Sequence, residues 1–174
     1  NCHQIYFVSN WVMKKFFEGL DFEYKNNCET LYPSIKKINK LSKKEKIIIF
    51  TGKLNKSKGY DIFGKAVTSV LNKFPKWKAF AIGNERRENY KFKHKNFKVI
   101  NWLPHTKILN FYKKSSISVV CSRWQEPFGR TAMESAAYGC ATITTNRGGL
   151  SETFNNNLIL KDLNYVDLEK IIIK

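Results

Sequence analysis

"KIIIFTGKLNKSKGYDIFGKAVTSVLNKF" runs from Lys46 to Phe74 and decides the fold. Its opening, Lys46–Gly52, is an unbroken apolar run closed by glycine, the pattern of a strand covered on both faces. Its second half, Gly59–Phe74, has a different period. Ile62, Ala66, Val70 and Phe74 recur every fourth residue, and Phe63, Val67 and Leu71 fall beside them, which makes one helix face. A buried strand, a lysine-rich loop and an amphipathic helix are the start of an α/β domain.

The alternation continues downstream. Trp77–Gly83 and Phe97–Leu103 read as strands, and His105–Ser115 as a short helix with Ile108, Leu109 and Tyr112 on one face. Ile117–Ser122 reads as another buried strand, Gly129–Tyr138 as a helix and Ala141–Thr145 as a strand. The expected fold class is α/β, a Rossmann-like parallel sheet with helices on both faces. Upstream, His3–Ser9 and Ser9–Gly19 read as a strand and a helix before a polar connector at 26–46. Residues 1–40 are therefore expected to be an inter-domain or edge segment, and residues 41–174 the Rossmann-like domain. The start at Asn1 and the helix opening at Tyr165 suggest a piece of a longer chain.

A chain of 174 residues with 43% hydrophobic and 14% aromatic content is globular, not disordered. Its 31 basic and 14 acidic residues leave a net charge of +17, a field that attracts phosphates, polyanions and anionic membranes. Only Arg86, Arg87, Arg123, Arg130 and Arg147 are arginines, so the charge is nearly all lysine, and a compositional bias explains it as readily as a functional surface does. Cys2, Cys28, Cys121 and Cys140 form no CxxC pair and read as reduced, mostly buried thiols of a cytoplasmic protein. His3, His94 and His105 lie in no metal-ligand spacing, and no apolar run reaches the length of a membrane span.

One short stretch concentrates scarce carboxylates. In "CSRWQEPFGRTAMESAAYG", Cys121–Gly139, Glu126 sits in a turn and Glu134 one turn into the following helix. Ligands of open α/β sheets bind beyond the carboxyl ends of strands, and this turn lies there. Gly129 opens the helix, where free N–H groups and the helix dipole favour an anion. The 3.6-residue period puts Ala132, Met133, Ala136 and Ala137 inward and Arg130, Thr131 and Glu134 on the exposed side. Glu134 could take the two hydroxyls of a ribose and Glu126 those of a second sugar, with phosphates between them. The competing reading is an ordinary surface pair between Arg130 and Glu134.

"SRWQEPFGRTAMESAAYGCATITTNRGGLSE" closely resembles the E-x7-E segment of the retaining family-four glycosyltransferases of GT-B fold. "FTGKLNKSKGYDIFGKAV" resembles that family's GRL…KG strand-loop-helix, and "VINWLPHTKILNFYKKSSISVVCS" the stretch between the two motifs. The match covers about residues 46–152, in the family's order. It implies the C-terminal, donor-binding half of a GT-B fold, with an N-terminal acceptor domain not present in this chain.

The resemblance assigns roles residue by residue. Glu126 would hold hydroxyls of the transferred sugar, with the backbone of Phe128 and Gly129 beside it. Gly129, Arg130 and Thr131 would approach the diphosphate, and Glu134 would hold the ribose. Lys53, where the family has Arg, and Lys58 would neutralise the diphosphate and the leaving nucleotide; solvated loop lysines are the alternative. The base would lie against Trp102–His105, nearest Leu103 and Ile108, which read equally as core packing. Asn101, Asn84 and Glu85 depart from the family's glycines near this face. Asn146–Glu152 is expected at the cleft edge, or as a tight turn.

By the same resemblance the reaction is hexosyl transfer from an NDP-sugar, a UDP- or GDP-sugar, to a glycan or lipid-linked acceptor. Configuration would be retained, with neither a metal nor a cofactor. The setting would be cytoplasmic polysaccharide or lipopolysaccharide synthesis, with room for peripheral contact with an anionic membrane. This chain alone should bind donor without transferring it. The alternative is a basic module for nucleic acid or anionic membranes; no helix-turn-helix, RNP-like or OB-like signature supports nucleic acid. A glycan phosphorylase would need a pyridoxal-phosphate lysine motif, which is not seen.

Overall fold

The computed structural model describes residues 3–20, 27–155 and 158–174, and Cys2 lies outside the described residues. Strand β1 (Ile5–Phe7), helix α1 (Asn10–Phe17) and strand β2 (Cys28–Thr30) form a small unit, with β1 and β2 paired in parallel. The remaining elements are β3 (Glu45–Thr51), α2 (Tyr60–Lys73), β4 (Lys78–Ile82), β5 (Phe97–Ile100), α3 (His105–Lys114), β6 (Ser115–Val120), α4 (Arg130–Ala137), β7 (Ala141–Thr145), β8 (Ile159–Leu160) and α5 (Tyr165–Ile173).

Strands β3 to β8 make one parallel sheet in the order β5-β4-β3-β6-β7-β8. The order reverses between β3 and β6, the doubly wound arrangement of a Rossmann-like fold, and ligands settle at that switch point. β3 is central because every residue from Ile47 to Phe50 is buried. Its two-residue period sends Ile48 and Phe50 into a core with α2 and α5, and Ile49 into a second core with Tyr112, Tyr138 and Cys140. The expected cover on both faces is thus present.

Two strands went unread. β2 lies inside the polar stretch 26–46, and its sequence, Cys-Glu-Thr, carries no apolar alternation; its pairing with β1 makes it a strand. β8 is two residues long and adds to the edge of β7. Cys121 and Cys140 are buried and Cys28 half-buried, all as free thiols, and burial pushes the Cys121 thiol up to about 12. No helix among the described residues is long and apolar enough to cross a membrane.

Close approach at the sheet's carboxyl edge is tightest where β3 and β4 end. A Cβ on Gly83 would sit 1.8 Å from the Gly52 carbonyl oxygen, and φ there is +150°, so both demands select glycine. The floor of a cleft results.

Candidate functional site

Two cavities open beyond the strand ends and meet at the start of α4, sharing Thr51, Gly52, Arg130 and Thr131. The larger, about 680 Å³, is lined by Lys53 and Asn84 on one side and by Leu103, His105, Ile108 and Glu134 on the other. The smaller, about 380 Å³, is lined by Lys58, Glu126, Phe128 and Gly129. All ten residues singled out from the sequence therefore border this one cleft.

Gly129 is the N-cap of α4, with φ +117°, and α4's first turn carries no acidic side chain. Its unpaired N–H groups and dipole make the junction of the two cavities favourable for an anion. Phe128 is buried, its ring 6.0 Å from that of Tyr32.

Glu126 is held mainly through its backbone. It forms an isolated parallel bridge with Gly148, and its carbonyl accepts from Gly149 N at 2.7 Å. A Cβ on Gly148 would meet that same carbonyl oxygen at 2.2 Å, and φ there is +64°. The Asn146–Glu152 segment lines neither cavity; it backs the Glu126 loop as a turn ending in a 3-10 helix, Gly149–Glu152. Glu152 then accepts the Asn10 and Trp11 N–H groups at the start of α1, both at 2.8 Å, and Ser9 Oγ donates to the Pro127 carbonyl at 2.5 Å. The amino-terminal unit is tied by these bonds to the loop that carries Glu126.

The Glu126 carboxylate pairs with Lys58 Nζ at 2.6 Å. Lys58 owes its place to a braced loop: Asn55 Oδ1 accepts from Ser57 Oγ and Lys58 N, and the Ser57 carbonyl accepts from Arg123 N and Trp124 N. Arg123 grips Asp61 with both arms, at 2.6 and 2.9 Å, and donates to the Lys56 carbonyl at 2.6 Å. Arg123 is thus a clamp between the β3–α2 and β6–α4 loops, outside both cavities. Lys56 lines neither cavity, whereas Lys53 is exposed on the larger one. Across the loop, Glu85 accepts from Asn55 and Arg87, and the Arg87 bonds hold its carboxyl down at about 2.

Glu134 differs from expectation. The helical period predicts an exposed carboxylate; its side chain is only 8% accessible. The reason is α3, which packs beside α4 and brings His105 Nε2 to 3.0 Å from Glu134 Oε1, while Arg130 Nη2 approaches the same oxygen at 3.4 Å. The i,i+4 pair with Arg130 is real, but it coats a buried group at a cavity wall. The inner face of α4 differs too: Ala132 and Ser135 are buried, and Met133, Ala136 and Ala137 only half-buried. α4 lies tightly over β6 and β7, where Ser135 Oγ bonds the Ala132 carbonyl and Thr142 Oγ1, so small residues fit and Met does not.

Leu103 and Ile108 pack against the second core and also line the larger cavity. At its floor, the buried Tyr112 hydroxyl shares a 2.5 Å bond with Thr51 Oγ1, and burial pushes this phenol up. His105 was not foreseen as a partner of Glu134. Its only sequence signal is its place at the start of a helix that follows a strand end.

Residues 32–173 match the family described as "Glycosyl transferases group 1". The chain is 28% identical over 170 residues to an uncharacterized 42.6 kDa protein in the cps region of Klebsiella pneumoniae, covering 92% of this chain and 43% of that one. A glycosyltransferase structure from Rickettsia africae superposes with TM-score 0.78 at 19% identity, over 98% of this chain and 52% of that one. Anabaena HepE, solved in complex with UDP-glucose, superposes with TM-score 0.79 at 15% identity, over 99% and 53%. The chain spans about half the length of these relatives, and it shares the fold of the two solved structures. With its parallel sheet, its switch-point cleft and a family match across most of its length, the chain belongs to the group 1 glycosyl transferases.

Proposed function

We propose that this chain is the donor-binding part of an enzyme that transfers a hexosyl group from an NDP-sugar to a glycan or lipid-linked acceptor with retention of configuration. The observation that carries this reading is the pair of joined cavities, each with its own carboxylate, meeting at the start of α4. Two adjoining cavities, each with a carboxylate, suit two sugars bridged by a diphosphate.

The nucleoside occupies the larger cavity, with the base against Leu103 and Ile108 and the ribose hydroxyls on Glu134. The diphosphate lies over the N–H groups of Gly129, Arg130 and Thr131, beside Lys53. The sugar occupies the smaller cavity against Phe128 and Gly129, where Glu126 takes its hydroxyls. Lys58 stabilises the charge that grows on the departing phosphate, and these fixed groups need no rearrangement as the bond breaks. Cationic side chains and helix N–H groups serve here in place of a metal, and no cofactor enters. Glu126 orients the sugar and forms no covalent bond with it. UDP-glucose is the first donor to try, because HepE was solved with it. We place the reaction in cytoplasmic polysaccharide or lipopolysaccharide synthesis, in line with the cps region of the Klebsiella relative. Transfer belongs to the whole protein; this chain alone binds donor without turnover.

Ligand-observed NMR with UDP, GDP, ADP and UDP-glucose tests the reading. One nucleotide should bind, and Glu134→Ala should weaken that binding by about 10–100-fold. Millimolar silence from all four probes would remove the proposal.

A further inference from the structure

Away from the cleft, residues 89–98 read "NYKFKHKNFK", four lysines without a carboxylate. From Lys91 to Asn96 exposed and half-buried residues alternate strictly. The aromatic residues take the inner places. Tyr90 and Phe92 stack nearly parallel, 6.3 Å apart, and both meet the Tyr60 ring edge-on. Phe92 lies so close over α2 that a Cβ on Gly64 would fall 2.1 Å from its ring. With the rings inward, Lys91, Lys93 and Lys95 are left exposed.

This ridge borders an open hollow of about 440 Å³, lined by Lys65, Thr68, Lys91, Phe92, Lys93 and Tyr165. Lys65 lies over the Tyr165 ring, itself 43% exposed. A few lysines elsewhere are neutralised, as Lys58, Lys73 and Lys170 are by Glu126, Glu169 and Asp167. Among the described residues, Lys65, Lys91, Lys93 and Lys95 form no ion pair. The nearby Asp61 is held by Arg123, and Glu88 accepts the Lys56 N–H.

We propose that this ridge and hollow, formed by α2, residues 89–98 and the start of α5, are a docking site for the phosphate headgroups of an anionic membrane. Unpaired lysines beside an exposed tyrosine match the charge and the amphipathic aromatics of a membrane interface. The hollow shares no residue with either cavity of the cleft, so docking leaves the cleft open and does not depend on what the cleft binds. Contact is peripheral, because no described helix can span.

The test is cosedimentation of the chain with vesicles of phosphatidylcholine containing about 30% phosphatidylglycerol, against pure phosphatidylcholine. Each lysine near such a surface is worth about fivefold in partition, so Lys91→Glu with Lys93→Glu should weaken binding by at least about twentyfold. Lys36→Glu with Lys37→Glu makes the same change of net charge on exposed residues elsewhere and should cost less than about threefold. Equal losses in the two variants would reduce the effect to net charge and overturn the site. So would failure of the unmodified chain to bind the anionic vesicles, or tighter binding of a DNA duplex at the same salt.

Discussion

Glu126 and Glu134 stand eight residues apart and border adjoining cavities, yet the chain places them by different means. Glu134 rides on α4, so the helical repeat brings Arg130 to its oxygen, and only His105 arrives from elsewhere. Glu126 sits in a loop. Its backbone is pinned by Gly148 and Gly149, its side chain by Lys58, and the loop itself by Arg123 and by Ser9. A carboxylate on a helix is positioned by local geometry; one on a loop borrows its position from several distant segments. Damage to remote residues should therefore reach Glu126 before it reaches Glu134.

The harshest way to break the comparison is Gly148→Val. A side chain there collides with the Glu126 carbonyl and strains a left-handed residue, costing about 2–3 kcal/mol of stability in urea unfolding. UDP-glucose binding should vanish while residual UDP binding survives. Equal loss of both ligands would show that the Glu126 loop and α4 are one unit.

Glu134→Ala comes next. Removing a charged partner of two hydroxyls should weaken UDP and UDP-glucose alike, by about 10–100-fold in titration calorimetry. Glu126→Gln separates the two carboxylates: UDP affinity should hold and UDP-glucose affinity fall by about tenfold. If UDP weakens as well, Glu126 acts on the diphosphate and the assignment of the smaller cavity to the sugar is wrong.

The smallest effect lies outside the cleft. Bonds from Lys73 and Ser69 hold the Glu169 carboxyl below its ordinary value, tying α5 to α2. A folded-state pKa below the unfolded one means stability that is present above the ordinary carboxylate range and lost as pH falls through the folded value. Glu169→Gln should flatten the acid side of the stability curve by less than about 1 kcal/mol, since Lys73 is largely exposed, and should leave ligand binding unchanged.

Much was legible in the chain because periodicity records burial. Ile47–Phe50 reads as a covered strand, and α2 and β7 fall within a residue of their expected limits. The cysteine and lysine content, the switch-point turn and the helix opening at Gly129 were equally readable. Illegible were features whose cause lies far away in sequence: β2 as a strand, the burial of Glu134 beneath α3, the Lys58–Glu126 pair, and Arg123 as a clamp on Asp61.

What the sequence by itself determined is the order of the main strands and helices, the family, and ten of the residues at the cleft. Those follow from local period and from side chains named in a motif. The tertiary structure decided which of these side chains touch, which carboxylate is buried, and where unpaired lysines collect. Such outcomes depend on contacts between residues tens of positions apart, and neither period nor motif encodes a distance.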